Sequence, residues 1–370
     1  MSGQSLGRRK VGTSEVVVAP ARPPGFEPSP KCRRFRRYEE LVTTARCGRS
    51  DKLRKEGDRT LLRLDGIHHI SATTADAVLT VDFYVRLLGL RLAKKTVNQD
   101  EPTAYHLLFG DEAGSPGTVL TFFEYPGSGR GVAGVGMVHR IVWRVATREA
   151  LSFWQERLEH AGITADGDDH GLRFDDPEGL GLEITVSEDD DGAAPARHPE
   201  IPAALALQGL AGVRIFSSAA AASQTFLSET LRFTRSDDRL EARGAKRRSF
   251  VAYDEMATPG RGGAGTVHHV AWTAEDRDIE AWQRRIAAVA APTPVVERFY
   301  HRSVYFREPS DALFEIATRG PGVTVDEPLA TLGESLALPP MFQHRRAEIE
   351  AALRPISNPR LGWPAADEPN

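Results

Sequence analysis

Cysteine is nearly missing from this 370-residue chain. There are two, Cys32 and Cys47, and none after them. A disulfide scaffold is therefore excluded, and the usage suits a reducing cytoplasm. Long apolar runs are missing too: no stretch approaches the roughly 20 residues that a spanning helix needs. A soluble, cytoplasmic protein without a membrane partner is expected. No apolar segment followed by a small-residue cleavage site opens the sequence, so no secretory leader is predicted.

Positive charge is scarce in most of the chain. Residues 1–62 hold 15 Lys/Arg against 7 Asp/Glu, a surplus of eight, so the total of −4 leaves −12 on the remainder. An acidic body gives no support for nucleic-acid binding. The first 62 residues show no helical or strand periodicity and are rich in Pro, Gly, Ser and Arg. They read as a disordered basic extension, with "KCRRFRR" a solvated basic run.

From residue 63 the pattern changes and repeats four times. Each copy has a short apolar strand, an amphipathic helix, then strands that end in an apolar run. The first strands are "GIHHISATT", "MVHRIVWRV", "LAGVRIFSS" and "TVHHVAWTA". Apolar stripes at spacings of 3, 4 and 3 mark three of the helices: Val78, Val81, Val85 and Leu88; Leu151, Trp154, Leu158 and Ala161; Ile279, Trp282, Ile286 and Val289. Such a unit cannot bury its sheet face alone, and self-similarity at about 60–70 residues defines a repeat architecture. The expected fold class is α+β, with four βαβββ-type modules pairing into curled mixed sheets. The expected division is 63–195 and 205–320 as two two-module domains, followed by a tail, 321–370, with one helix from about Phe342 to Leu353.

Aligned first strands read His68-His69-Ile70, His139-Arg140-Ile141, Val213-Arg214-Ile215 and His268-His269-Val270. Neighbouring strand residues point to opposite faces unless the strand bulges. One histidine of each doublet thus faces the interior. Copies two and three carry Arg140 and Arg214 in the second slot, which suits a metal-free second cup. Among the last strands, "LFEIAT" carries Glu315 and "LEITV" carries Glu183. A glutamate flanked by Phe314 and Ile316 is costly to bury unless it is paired or metal-bound. His69, His269 and Glu315 together are two imidazoles and a carboxylate, the ligand set of mononuclear Fe(II) oxygenases. His106 is a further candidate, read as a structural strand histidine, and Trp143, Trp272 and Trp282 are read as core.

The stretches "GIHHIS", "GTVHHVAW", "RFYHRSVYFREPSDALFEIAT" and "LGESLALPP" give the chain a resemblance to a known family. It resembles the vicinal oxygen chelate superfamily of glyoxalases, bleomycin-resistance proteins and extradiol dioxygenases. More narrowly it is similar to the ring-cleaving branch that acts on hydroquinones. The resemblance implies His69, His269 and Glu315 as iron ligands and His68, His268, Tyr305 and Arg298 as pocket residues with catalytic roles. It implies an Fe(II)-dependent ring-cleaving dioxygenase, with Mn(II) accepted by the same donors, acting on a small aromatic and O2. His268 or Tyr305 would take the substrate proton, and Arg298 would stabilise negative charge. A homo-oligomer is compatible with the sequence. Two alternatives remain open: a metal-dependent glyoxalase-like lyase or isomerase, and a non-catalytic module that binds quinones or drugs.

Overall fold

A computed structural model describes residues 62–168, 171–187, 192–245 and 247–363. The basic extension predicted over 1–62 lies outside these residues but for Leu62. The four repeats appear as four modules. The first comprises β1 (Ile67–Thr74), a helix α1 (Ala77–Val81) that widens into a π-helical turn (Asp82–Leu87), β2 (Arg91–Val97), β3 (Tyr105–Gly110) and β4 (Val119–Glu124). The second comprises β5 (Val138–Val145), α2 (Arg148–His160), β6 (Asp166–Gly167), β7 (Gly171–Asp175) and β8 (Gly181–Val186). The third comprises β9 (Gly209–Ser217), α3 (Ala220–Glu229), β10 (Thr234–Ser236), β11 (Arg239–Arg243) and β12 (Arg248–Glu255). The fourth comprises β13 (Thr266–Ala274), α4 (Ile279–Ala287), β14 (Val296–Arg298), β15 (His301–Arg307) and β16 (Leu313–Thr318).

The modules pair into two mixed eight-stranded sheets, as the sequence implied. Their strand orders are β14-β15-β16-β13-β1-β4-β3-β2 and β10-β11-β12-β9-β5-β8-β7-β6. In each sheet the two first strands meet antiparallel at the centre, and each lies parallel to the last strand of its own module. Sheet pairing thus runs across the halves 63–195 and 205–320 rather than within them. Module one joins module four, and module two joins module three. The strands that carry His69 and His269, two hundred residues apart in sequence, become neighbours for this reason.

The helices cover the sheets with their apolar sides, though three predicted stripes need correction at their ends. In α1, Val78 is 37% exposed. The widened turn, with Leu88 N–H donating to Phe83 O at 3.0 Å, carries Phe83, Tyr84 and Val85 into the core. A five-residue hydrogen bond shifts the buried side out of 3.6-residue register. In α2, Leu151, Trp154 and Leu158 are buried, whereas Ala161 is the exposed capping residue. In α4, Ile279, Trp282 and Ile286 are buried, and Val289 lies past the helix end in solvent. The three tryptophans assigned to the core are fully buried. The C-terminal helix starts as a 3₁₀ turn (Pro340–Arg345) and continues as α5 (Arg346–Ala352), stopping ahead of Pro355. Among the described residues, no helix is long and apolar enough to cross a membrane.

Two glycine-rich links, around residues 129–136 and 258–265, cross between the sheets, bridging at Arg130 and Ala264, Val132 and Arg261, and Val135 and Pro259. A Cβ on Gly134 would lie 2.2 Å from the Gly260 amide nitrogen, which is backbone and cannot yield. Gly134→Ala is therefore expected to destabilise the protein by about 1–3 kcal/mol. Gly129, beside which a Cβ meets nothing within 4 Å, supplies the comparison. Urea unfolding of Gly134→Ala and Gly129→Ala should separate the two, and equal midpoints would refute the crowding argument.

Candidate metal centre

The centre of the first sheet gathers the polar residues singled out above. β1 and β13 run antiparallel with His69 opposite Ala271 and His269 opposite Ser71, and register shifts flank His69 in β1. Such irregularities re-aim side chains. Through them both members of the first doublet reach the same neighbourhood. β16 sets Glu315 opposite Ala271, and β15 sets Tyr305 opposite Glu315.

The side chains converge on one point. His69 Nε2 is 3.2 Å from His269 Nε2 and 3.4 Å from Glu315 Oε2, and His269 Nε2 is 3.0 Å from the same Oε2. His69 and His269 are almost wholly buried and Glu315 completely so. Three donors at right angles around a first-row ion, each about 2.1 Å from it, lie about 3.0 Å apart. The observed triangle matches that spacing. Glu315 Oε2 is buried and accepts no hydrogen bond among the described residues. A buried carboxylate oxygen facing two imidazole nitrogens is costly unless a cation joins them. The residues present therefore fit a divalent metal.

The first histidine of each doublet lies behind the second. His68 Nδ1 is 2.9 Å from His69 Nδ1, and His268 Nδ1 is 2.7 Å from His269 Nδ1. A hydrogen bond at Nδ1 fixes the tautomer and leaves the Nε2 lone pair for the centre. Burial pushes His69 down to about 4 against the pull of Glu315, and pushes His268 down to about 3. Burial also takes His68 well below its ordinary value. For Glu315 burial acts upward, but His69 and the facing imidazoles of His269 and His301 hold the carboxyl well below the usual range. Neutral imidazoles and an ionised carboxylate are the metal-binding forms.

Around the triangle stand the other predicted residues. Tyr305 is buried, its ring edge-on to His269 with centroids 5.7 Å apart. Burial, then Glu315, raises its phenol well above the ordinary value, so it remains protonated. The Arg298 guanidinium lies 5.8 Å from the Tyr305 ring centroid and pairs with Asp100 at 3.1 Å. His106, read as structural, stacks on Phe123 at 4.4 Å and meets Thr121 Oγ1 at 3.0 Å, which in turn meets Ser71 Oγ at 2.8 Å. Burial, then the nearby charges of His69, His269, His301 and Arg298, takes the His106 imidazole well below its ordinary value.

One residue of the site escaped the sequence reading. His301 Nε2 lies 3.3 Å from Glu315 Oε1, and its ring is 5.3 Å from those of His68 and His69. Its signal was the alternation His301, Ser303, Tyr305, which puts all three on one strand face.

Register also shows what the four modules share. The residue two places after His69, Arg140, Arg214 and His269 pairs with Thr121, Glu183, Asp254 and Glu315 respectively. In the second sheet Arg214 forms two hydrogen bonds with Asp254, 2.8 and 2.5 Å, and His139 Nε2 is 2.7 Å from the same carboxylate. Arg140 Nε is 3.9 Å from Glu183. Guanidinium groups there occupy the slots that imidazoles fill in the first sheet.

Comparison with known proteins follows the same line. Residues 66–184 match the family model described as the Glyoxalase/Bleomycin resistance protein/Dioxygenase superfamily. The chain is 41% identical over 316 residues to MhqA of Bacillus subtilis (strain 168), provisionally named a ring-cleaving dioxygenase, covering 80% of this chain and 100% of that one. It is 31% identical over 318 residues to a chlorohydroquinone/hydroquinone 1,2-dioxygenase of Sphingobium indicum, covering 80% of this chain and 97% of the other. A crystal structure of a provisionally named dioxygenase from Bacillus subtilis subsp. subtilis str. 168 superposes with a TM-score of 0.75 at 36% identity, over 80% of this chain and 99% of that one.

Proposed function

The chain belongs to the glyoxalase/bleomycin resistance/dioxygenase superfamily, in its ring-cleaving branch, and from that premise we propose that it opens the ring of a hydroquinone-like aromatic with O2. The observation that carries the reading is the buried triangle of His69 Nε2, His269 Nε2 and Glu315 Oε2, with edges of 3.0 to 3.4 Å. These three atoms would hold Fe(II), and Mn(II) suits the same donors. When bound, such an ion supplies a Lewis acid that acidifies a coordinated hydroxyl and an electron path between ring and dioxygen.

The chain's own groups do the rest. A para-diol cannot chelate, so only one hydroxyl reaches the centre and the pocket must hold the ring. His68 Nε2 is buried and without a hydrogen-bond partner among the described residues. Its Nδ1 accepts from the Nδ1–H of His69, so the proton of the neutral ring sits on Nε2, which can donate a hydrogen bond to a substrate oxygen. Tyr305 keeps its proton and donates from its hydroxyl. Arg298, tethered by Asp100, offers positive charge to the oxygen anion that develops. The stacked rings of Phe123 and His106, with centroids 4.4 Å apart, would supply an aromatic wall for the ring. In the reaction one ring carbon–carbon bond breaks, both O2 atoms enter the product, and the ring supplies the electrons.

A glyoxalase-like isomerase is less favoured because Thr121, not a second carboxylate, stands at the position in module one equivalent to Glu315. The test strips metal with a chelator, reloads Fe(II) without air, and follows oxygen uptake with hydroquinone, methylhydroquinone and catechol. About one ion per chain is expected, with uptake on the hydroquinones at least ~100-fold above the stripped protein. Binding of hydroquinone without metal and without uptake would leave the non-catalytic reading in its place.

A further inference from the structure

Glu315 uses its two oxygens differently. Oε2 faces His69 and His269 and accepts no hydrogen bond among the described residues. Oε1 is met by Ser303 Oγ at 2.5 Å and by His301 Nε2 at 3.3 Å. Both donors come from β15, the strand paired antiparallel with β16, where the pleat puts His301, Ser303 and Tyr305 on the face that Glu315 shares. The carboxylate is completely buried, so no solvent molecule can substitute freely for a lost donor.

We propose that His301 is a positioning residue: with Ser303 it holds Oε1 of Glu315, so that Oε2 alone is presented to the metal between His69 and His269. The inference rests on the metal-site reading above and deepens it. A carboxylate free to turn can engage an ion through both oxygens and fill a position that substrate or oxygen needs. Held at Oε1, it contributes one donor and leaves the neighbouring positions open. His69, His301 and Glu315 each have a ligand-type atom within 4.8 Å of the others, so a direct ligand role for His301 is the rival account. The geometry favours positioning. The carboxylate atom nearest His301 is Oε1, the one turned away from the two imidazoles.

Titration of the metal-free protein with Co(II), followed by its visible absorption, separates these accounts. His301→Ala is expected to weaken Co(II) binding about 10–100-fold, the usual effect of losing an outer-shell partner. His301→Gln keeps an N–H donor near the same place and should restore the affinity to within about threefold. Ser303→Ala should weaken it by a smaller factor than His301→Ala, and it keeps the test alive if that variant does not fold. Thermal unfolding of the metal-free forms checks that the fold is unchanged. Co(II) bound as tightly by His301→Ala as by the unaltered protein overturns the positioning role alone. A His301→Gln affinity as weak as that of His301→Ala overturns it in favour of direct ligation. If the unaltered protein takes up no Co(II), the metal-site reading itself fails and this inference with it.

Discussion

Glu315→Gln is expected to lower divalent-metal affinity at least ~100-fold and hydroquinone-dependent oxygen uptake about a thousandfold, or ~4 kcal/mol of barrier. The side chain keeps its length and shape, and its amide oxygen can still accept from Ser303. What goes is the negative charge. The structure holds that charge by surrounding a completely buried carboxylate with His69, His269 and His301 at 3.4, 3.0 and 3.3 Å. The two imidazoles remain at the proposed site, and an imidazole brings no negative charge to offset that of a dication. The loss does not come from unfolding. Removing a buried charge in the metal-free state relieves a desolvation cost, so the stripped variant should melt no lower than the stripped parent. Metal content after dialysis, metal-free melting temperature and oxygen uptake distinguish these effects. Unchanged metal affinity in Glu315→Gln would remove the carboxylate from the site.

The doublets and the strand-borne glutamate were legible because they break a local rule. Polar residues inside apolar strands need a reason. The modules were legible because their stripes and strands recur. His301 was not: its alternation with Ser303 and Tyr305 names a shared strand face but not what that face meets, and only the pairing of β15 with β16 brings it to Glu315. Asp254 was missed for a related reason: its equivalence with Glu315 lies in strand register and not in any similarity of the neighbouring letters. The widened turn of α1 left no mark either. A π-helical turn is chosen by packing, here the burial of Phe83 and Tyr84, against an unremarkable stretch of helix formers. Chain order says which modules are adjacent in sequence; that modules one and four, and two and three, share a sheet rests on which first strands pair.

The cations of "RLAKK" carry the second large effect. Lys94 is completely buried; its ammonium donates to Asp326 Oδ1 at 2.7 Å and to Glu327, and lies 5.3 Å from the Tyr300 ring centroid. Arg91 donates to the carbonyls of Ala330 and Leu332, and Lys95 to those of Glu334 and Ile356. The Ala337 amide completes the attachment by donating to Lys95 O. One strand of module one thus clasps the chain from 326 to 356. Lys94→Met keeps most of the volume and removes the charge. It leaves the carboxylates of Asp326 and Glu327, whose side chains are 18% and 11% exposed, near each other without that cation. The expected loss is about 3–5 kcal/mol, the usual result of breaking a buried pair from one side. Lys94 and Thr96 alternate onto one strand face, and Thr96 is paired with His106, so the clasp borders the cup. Loosening it should raise KM for hydroquinone while metal affinity stays unchanged. Limited proteolysis should cut within 323–338 faster in Lys94→Met. Adding Asp326→Asn and Glu327→Gln should recover much of the loss, because neutral partners no longer need the ammonium. A Lys94→Met protein that unfolds and is cleaved like the parent would show that the tail is held by its backbone contacts alone.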